Sequence, residues 1–182
     1  TVTLAGGDRI EAGHVCLCTG VWTNEVLEPL GLSVPVRPRK GHIAVLERGD
    51  VRVNSKIADF GYQAAAESTD VDETRVQTAA IIEATRSGTI LCGSSREFAG
   101  FDMGVDMEIV QRLLADCVRI VPDLQRLRVI RGYAGLRPFS PDGHPLIGPV
   151  PGAERLIVAT GHEGAGHGLA AVTGDLVAAC VA

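Results

Sequence analysis

Aromatic side chains are scarce in this chain: one Trp, two Tyr and four Phe make up 4% of 182 residues. Base stacking on aromatic platforms therefore has little to work with, and a net charge of −5 offers no attraction to phosphate backbones. Nucleic acid is excluded as a partner on both counts. No run of about 18 uninterrupted apolar residues occurs, and residues 1–20 lack the basic start and apolar middle of a signal peptide, so no membrane span is expected. The five cysteines, Cys16, Cys18, Cys92, Cys117 and Cys180, include no C-x-x-C pair. An odd set without that spacing points to reduced thiols in a cytoplasmic protein rather than a disulfide frame. Also missing are a nucleophile with a base at recognisable spacing, paired carboxylates and a Walker-type loop, which removes hydrolysis and phosphoryl transfer. What remains is chemistry supplied by a bound cofactor, with the protein providing position and electrostatics.

Apolar residues, at 46%, suffice for a core, in one large domain or two small ones. Thr1 to Ala5, the Gly6-Gly7-Asp8 turn and Arg9 to Ala12 predict a β-hairpin. The apolar run from His14 to Gly20 predicts a strand buried on both faces. Trp22 to Leu30 has a helical pattern, with Thr23 as N-cap and Gly31 as stop. Gly41 to Glu47 alternates as a strand, and Arg37, Arg39 and Lys40 before it are expected in a solvated loop. Ile57 to Ala66, Val76 to Thr85 and Thr89 to Ser94 are β-type, the last two joined by a Ser87-Gly88 turn. Glu67 to Arg75 is polar and acidic, an exposed loop.

Asp106 opens the clearest helix, with Met107, Val110, Leu113, Leu114, Cys117, Val118 and Val121 on one stripe and Pro122 at its end. Strands follow at Arg128 to Tyr133 and Arg155 to Thr160. His167 to Ala182 reads as a closing helix with Leu169, Val172, Leu176 and Val177 inward. The change of texture in the middle predicts a second domain at residues 41–130, inserted between 1–40 and 131–182. The fold class is α/β (α+β).

Gly161-His-Glu-Gly-Ala-Gly-His-Gly168 lies between a strand and a helix, so its backbone N–H groups and the helix dipole favour negative charge in front of them. Four glycines in eight residues let a ligand edge approach the main chain. His162 and Glu163 imitate the start of H-E-x-x-H, but the next histidine, His167, is five residues on rather than four, and the glycines argue against helix there; metal binding is not expected. His14, Cys16 and Cys18 share a strand face, where buried cysteines act as small apolar residues. Arg137, in an otherwise apolar or glycine stretch, needs a partner: a substrate carboxylate or a structural acid such as Asp142 would serve equally.

The segments V-C-L-C-T-G-V-W-T (15–23), R-P-R-K-G-H (37–42), G-L-R-P-F-S-P-D-G-H-P-L-I-G (135–148) and A-T-G-H-E-G-A-G-H-G-L-A (159–170) occur in an order that resembles the D-amino acid oxidase-like (DAO) family of FAD-dependent oxidoreductases. That family includes glycine oxidase, sarcosine oxidase and subunits of amine dehydrogenases and hydrogen cyanide synthase. The resemblance covers essentially the whole chain and the later half of a typical member. It implies that the flanks form part of an FAD-binding α/β domain and the middle an antiparallel-sheet substrate domain. It implies cofactor contacts from Thr19, Gly20, Trp22, Gly41, Gly135, Leu136 and Gly148, and from Gly161, His162, Glu163, Gly164, Ala165, Gly166, His167 and Gly168 along the pyrimidine edge of the flavin. Arg137 is the implied catalytic-site residue, gripping the carboxylate of an amino acid or amine substrate whose CH–NH bond loses a hydride to flavin N5.

Three departures accompany the resemblance. No G-x-G-x-x-G is present, so FAD is expected to bind weakly or not at all to these residues alone. Gly164 stands where glycine oxidase-like members carry a second arginine. No cysteine lies between Tyr133 and Gly148, so FAD is expected to be non-covalent. Relatives with this glycine loop also suggest other subunits of a heteromeric dehydrogenase as partners. The alternative is a non-catalytic binding or subunit-contact module with vestigial cofactor loops.

Overall fold

The computed structural model describes residues 1–60 and 74–182. The chain divides into two compact units, Thr1–Arg37 with Arg137–Ala182, and Pro38–Leu136. Most of the predicted segments Ile57 to Ala66 and Glu67 to Arg75 lie outside the described residues.

In the first unit, β1 (Val2–Thr3) and β2 (Arg9–Ile10) form the expected hairpin. Strands β3 (Val15–Leu17), β10 (Ala153–Thr160) and β9 (Leu146–Val150) make a sheet in that spatial order. The β3/β10 pair is parallel, with Ile157 opposite Cys16, and the β10/β9 pair is antiparallel. Leu17, Leu27, Val150 and Val158 form the core. Only one face of β3 is buried: Leu17 points inward while Cys16 and Cys18 are exposed, which corrects the expectation of a strand covered on both sides.

A 3-10 turn (Gly20–Trp22) precedes α1 (Thr23–Leu27), and Gly31, at φ 68°, ends the following 3-10 turn. Thr23 is the first helical residue rather than the N-cap. Its hydroxyl turns back to donate to the Gly20 carbonyl at 2.7 Å, a local bond that suits a β-hydroxyl inside the first turn.

The second unit is a five-stranded sheet in the order β5 (Ile57–Ala58), β6 (Gln77–Ala84), β7 (Ile90–Arg96), β4 (Arg37–Leu46), β8 (Val129–Phe139), the end residues of β4 and β8 belonging to the first unit. Pairings of β5 with β6, β6 with β7 and β7 with β4 are antiparallel. Helix α2 (Met107–Ile120) packs on β6 and β7. Asp106 caps it, its carboxylate accepting from the N–H groups of Glu108 (2.8 Å) and Ile109 (3.4 Å). Val110, Leu113 and Cys117 are fully buried against Ala44, Ile82 and Cys92, as their spacing predicts. Met107 is exposed instead, and Ile109 takes a buried place.

Two of the three cations, Arg39 and Lys40, overturn the solvated-loop expectation, while Arg37 is exposed as expected, though in a strand. The strand begins at Arg37, and Arg39 and Lys40 are 1% and 3% exposed. Lys40 Nζ lies 2.6 Å from Asp102 Oδ2 and the Arg39 guanidinium sits 5.6 Å from the Phe98 ring centre. Charges this deep persist only with such partners.

Helix α3 (Gly166–Val181) closes the chain. Val172 and Leu176 are about half exposed, at 49% and 48%, contrary to the inward placement predicted, whereas Leu169, Thr173 and Val177 are half-buried. The covered side is the one that faces β9 and β10. Glu163–Val181 is the one described helical stretch long and apolar enough to cross a membrane. Length and composition alone do not make it a span: Asp175 would lie in hydrocarbon, where an unpaired carboxylate is costly.

Candidate functional site

The glycine loop sits where β10 hands over to α3. Gly161 has φ +78°, and a Cβ built there would stand 3.2 Å from Ser140 Cβ. Only glycine fits that bend. Glu163–Ala165 then forms a 3-10 turn and α3 starts at Gly166, so the glycines do not prevent helix: Gly166, His167 and Gly168 are its first turn. Neither the 3-10 turn nor α3 has a side-chain cap. Early amides of a helix left without a cap are donors for a ligand.

A cavity of about 570 Å³ lies against this loop, lined by Gly20, Pro138, Thr160, His162, Glu163, Gly166, His167 and, from α3, Ala170, Thr173 and Val177. Cys16 and Cys18 complete the wall. Thr160 donates its hydroxyl to the Gly20 carbonyl at 2.9 Å and so ties the end of β10 to the turn after β3. Thr19 is joined to the same turn through Thr23, with 3.1 Å between the hydroxyl oxygens. His162 Nε2 lies 2.9 Å from Thr173 Oγ1, and burial lowers the imidazole pKa below its ordinary value, so the ring facing the cavity is neutral at pH 7.

The predicted site residues are thus divided. Of the predicted residues, Gly20, His162, Glu163, Gly166 and His167 line the cavity, whereas Gly161, Gly164, Ala165 and Gly168 are not part of its lining and Thr19 is tied to the neighbouring turn through Thr23. Arg137 directly precedes Pro138 of the cavity wall, and Gly148 lies in β9 opposite Val158. Trp22 is 49% exposed on the 3-10 turn. Gly41 in β4 and Gly135 and Leu136 in β8 belong to the other unit. Asp142, the structural acid considered for Arg137, is engaged locally: Ser140 Oγ (2.5 Å) and the His144 N–H (3.0 Å) donate to its Oδ1 and hold its pKa below the usual carboxylate range.

Cys16 and Cys18 belong to the cavity rather than to a core, with 3.7 Å between sulfurs. Partial burial first, and Cys18 second, push the Cys16 thiol up to about 11, which keeps it protonated. Among the described residues no group of three or more His, Cys, Asp or Glu could hold a metal. Thr160, Thr173 and Pro138 were not singled out from the sequence; the adjacency of Thr160 to Gly161 was the available signal.

A mixed parallel and antiparallel sheet whose glycine-rich strand-to-helix turn opens on a cavity, in a chain whose other unit is built on an antiparallel sheet, defines an α/β (α+β) protein. The chain belongs to the DAO family of FAD dependent oxidoreductases, which it matches over residues 1–180. It is 34% identical over 153 residues to a glycine oxidase of Pseudomonas putida, covering 84% of this chain and 37% of that one. To hydrogen cyanide synthase subunit HcnC of Pseudomonas protegens it is 33% identical over 159 residues, covering 87% and 34%. Among solved structures it is similar to glycine oxidase from Geobacillus kaustophilus, with a TM-score of 0.78, 28% identity and coverage of 97% of this chain and 43% of that one. The chain therefore spans well under half the length of these relatives.

Proposed function

We propose that this chain contributes the flavin-ring side of an amino acid or amine oxidoreductase, with Thr1–Arg37 and Arg137–Ala182 as part of the FAD-binding domain and Pro38–Leu136 as the substrate domain. The observation that carries this proposal is the uncapped start of α3 opening on the cavity at Gly161–Gly168. Its amides and the positive end of the helix dipole are suited to an electron-rich ring edge. FAD, when bound, supplies the two-electron acceptor for oxidation of a CH–NH bond.

The chain's own residues bind and orient. Arg137 offers a planar fork to a substrate carboxylate. The neutral imidazole of His162, fixed against Thr173, keeps a second positive charge away from the loop. A relative named as a synthase subunit supports further subunits as partners. Purified protein supplied with FAD should quench flavin fluorescence, and glycine, sarcosine or a D-amino acid should bleach the bound flavin without oxygen. Arg137→Ala should raise KM for carboxylate substrates about a hundredfold, the loss of a charge-assisted pair, with little change for amines lacking a carboxylate. Equal losses for both substrate kinds would remove the carboxylate role. Absence of flavin binding in a longer chain that also carries the missing G-x-G-x-x-G element would favour the subunit-contact alternative.

A further inference from the structure

At the Leu46 end of β4, in the second unit, the segment Arg48–Asn54 and the β6–β7 turn enclose a polar cleft of about 240 Å³. Arg48, Arg52 and Arg86 line it together with Asn54, Ser87 and Gly88. The acids nearest in sequence are committed elsewhere: Glu47 to Arg128 (2.8 Å), Asp50 to Arg126 and Glu83 to Lys56 (3.6 Å). Among the described residues, none of the three cleft arginines makes an ion pair. Three cations on one small cleft are conspicuous in a chain of net charge −5.

The arrangement has a fixed element. The Ser87-Gly88 turn places Gly88 at φ +87°, and a Cβ there would stand 3.1 Å from Arg48 Cγ and 3.3 Å from Arg48 Nε. The arginine stem thus lies directly on the glycine main chain, a seat that no other residue would leave open.

We propose that this cleft binds a small polyvalent oxyanion, a phosphoryl or polycarboxylate compound, at a site that shares no lining residue with the cavity of the first unit. Guanidinium forks pair in planar, bidentate fashion with both anion classes, and the Asn54 amide and Ser87 hydroxyl add neutral donors. The narrow polar volume suits a compact ion rather than a peptide segment.

Titration of the purified protein with pyrophosphate, citrate and acetate at constant ionic strength tests this, read by calorimetry and by Tm. Saturable binding of pyrophosphate or citrate, and not of acetate, is expected; whichever polyvalent ion binds more tightly identifies the source of the anion. Arg52→Gln with Arg86→Gln should weaken binding at least about tenfold, the cost of a lost charge-assisted hydrogen bond. Gly88→Ala should do so through displacement of Arg48. Because the side chains are exposed, the glutamine variants should keep the wild-type circular dichroism, and lysine replacements serve as charge-retaining controls if they do not. Binding that is unchanged in these variants, that follows ionic strength alone, or that is seen only with a long polyglutamate overturns the site. Flavin binding is read separately, so failure of either proposal is recognisable by itself.

Discussion

His42 Nε2 accepts the backbone N–H of Asp106 at 3.1 Å, so a fully buried imidazole holds in place the residue that caps α2. The other ring nitrogen lies 2.9 Å from Ser95 Oγ. An Nε2 that accepts is unprotonated, which fixes the proton on Nδ1. Glu97, Lys40, Asp106 and Asp102 are the charged groups around the ring, and burial outweighs the acids to lower its pKa.

A pH dependence of stability follows. A histidine whose folded pKa lies below its unfolded value of about 6.5 binds its proton more readily when unfolded. Its contribution is fully present above about pH 6.5 and is lost as pH falls below that value toward the folded pKa. The urea midpoint should therefore drop between about pH 7.5 and 5.5, and His42→Gln, which keeps an acceptor without titrating, should reduce the drop. A variant falling as steeply as the wild type would remove His42 as its cause.

The cap itself is separable from the histidine. Asp106→Ala keeps the backbone N–H for His42 but loses the acceptor for Glu108 and Ile109, at a cost of about 1 kcal/mol in urea denaturation. Asp106→Asn should recover most of it. An alanine variant as stable as the wild type would show that the cap contributes nothing.

Burial decides the ranking of two adjacent leucines on α2. Leu113 is 0% exposed within the core, while Leu114 packs against its margin. Leu113→Ala should cost about 2–5 kcal/mol and Leu114→Ala clearly less, measured by the same denaturation. Equal losses would contradict the described placement of the stripe.

At the glycine loop, Gly161→Ala combines a left-handed φ of +78° with a Cβ 3.2 Å from Ser140. A destabilisation of about 1–3 kcal/mol is expected from the backbone alone. Thermal unfolding checks that cost, and weaker flavin quenching at a temperature where the variant is folded checks the loop's role. Unaltered Tm would place the strain elsewhere.

Local patterns carried much of this structure. The stripe of α2, its Asp106 cap, the Gly31 stop and the strand-to-helix position of the glycine loop were all legible because each depends on neighbours within a few residues. The burial of Arg39 and Lys40 is not legible locally, because their partners, Phe98 and Asp102, lie about sixty residues away and leave no trace in the local pattern. The same holds for β3: the apolar run identifies a strand, but which face is covered depends on how β10 and α3 lie against it. Val172 and Leu176 show the limit of apolar spacing in a helix that is apolar nearly all round, where no side stands out as the inward one.

The parallel pairing of Val15–Leu17 with Leu156–Val158 sets an order of assembly. During synthesis the first strand emerges long before its neighbour, and the loop closed between them contains the whole of Pro38–Leu136. The inserted unit has its own core and its own strand ladder, so it can fold while β3 is still waiting. The cavity beside Gly20 and Thr160 is then a late product, completed only when β10 and α3 arrive, and slow closure of this kind is what high contact order predicts. A ribosome stalled before β10 would hold a folded middle and an unfinished cavity.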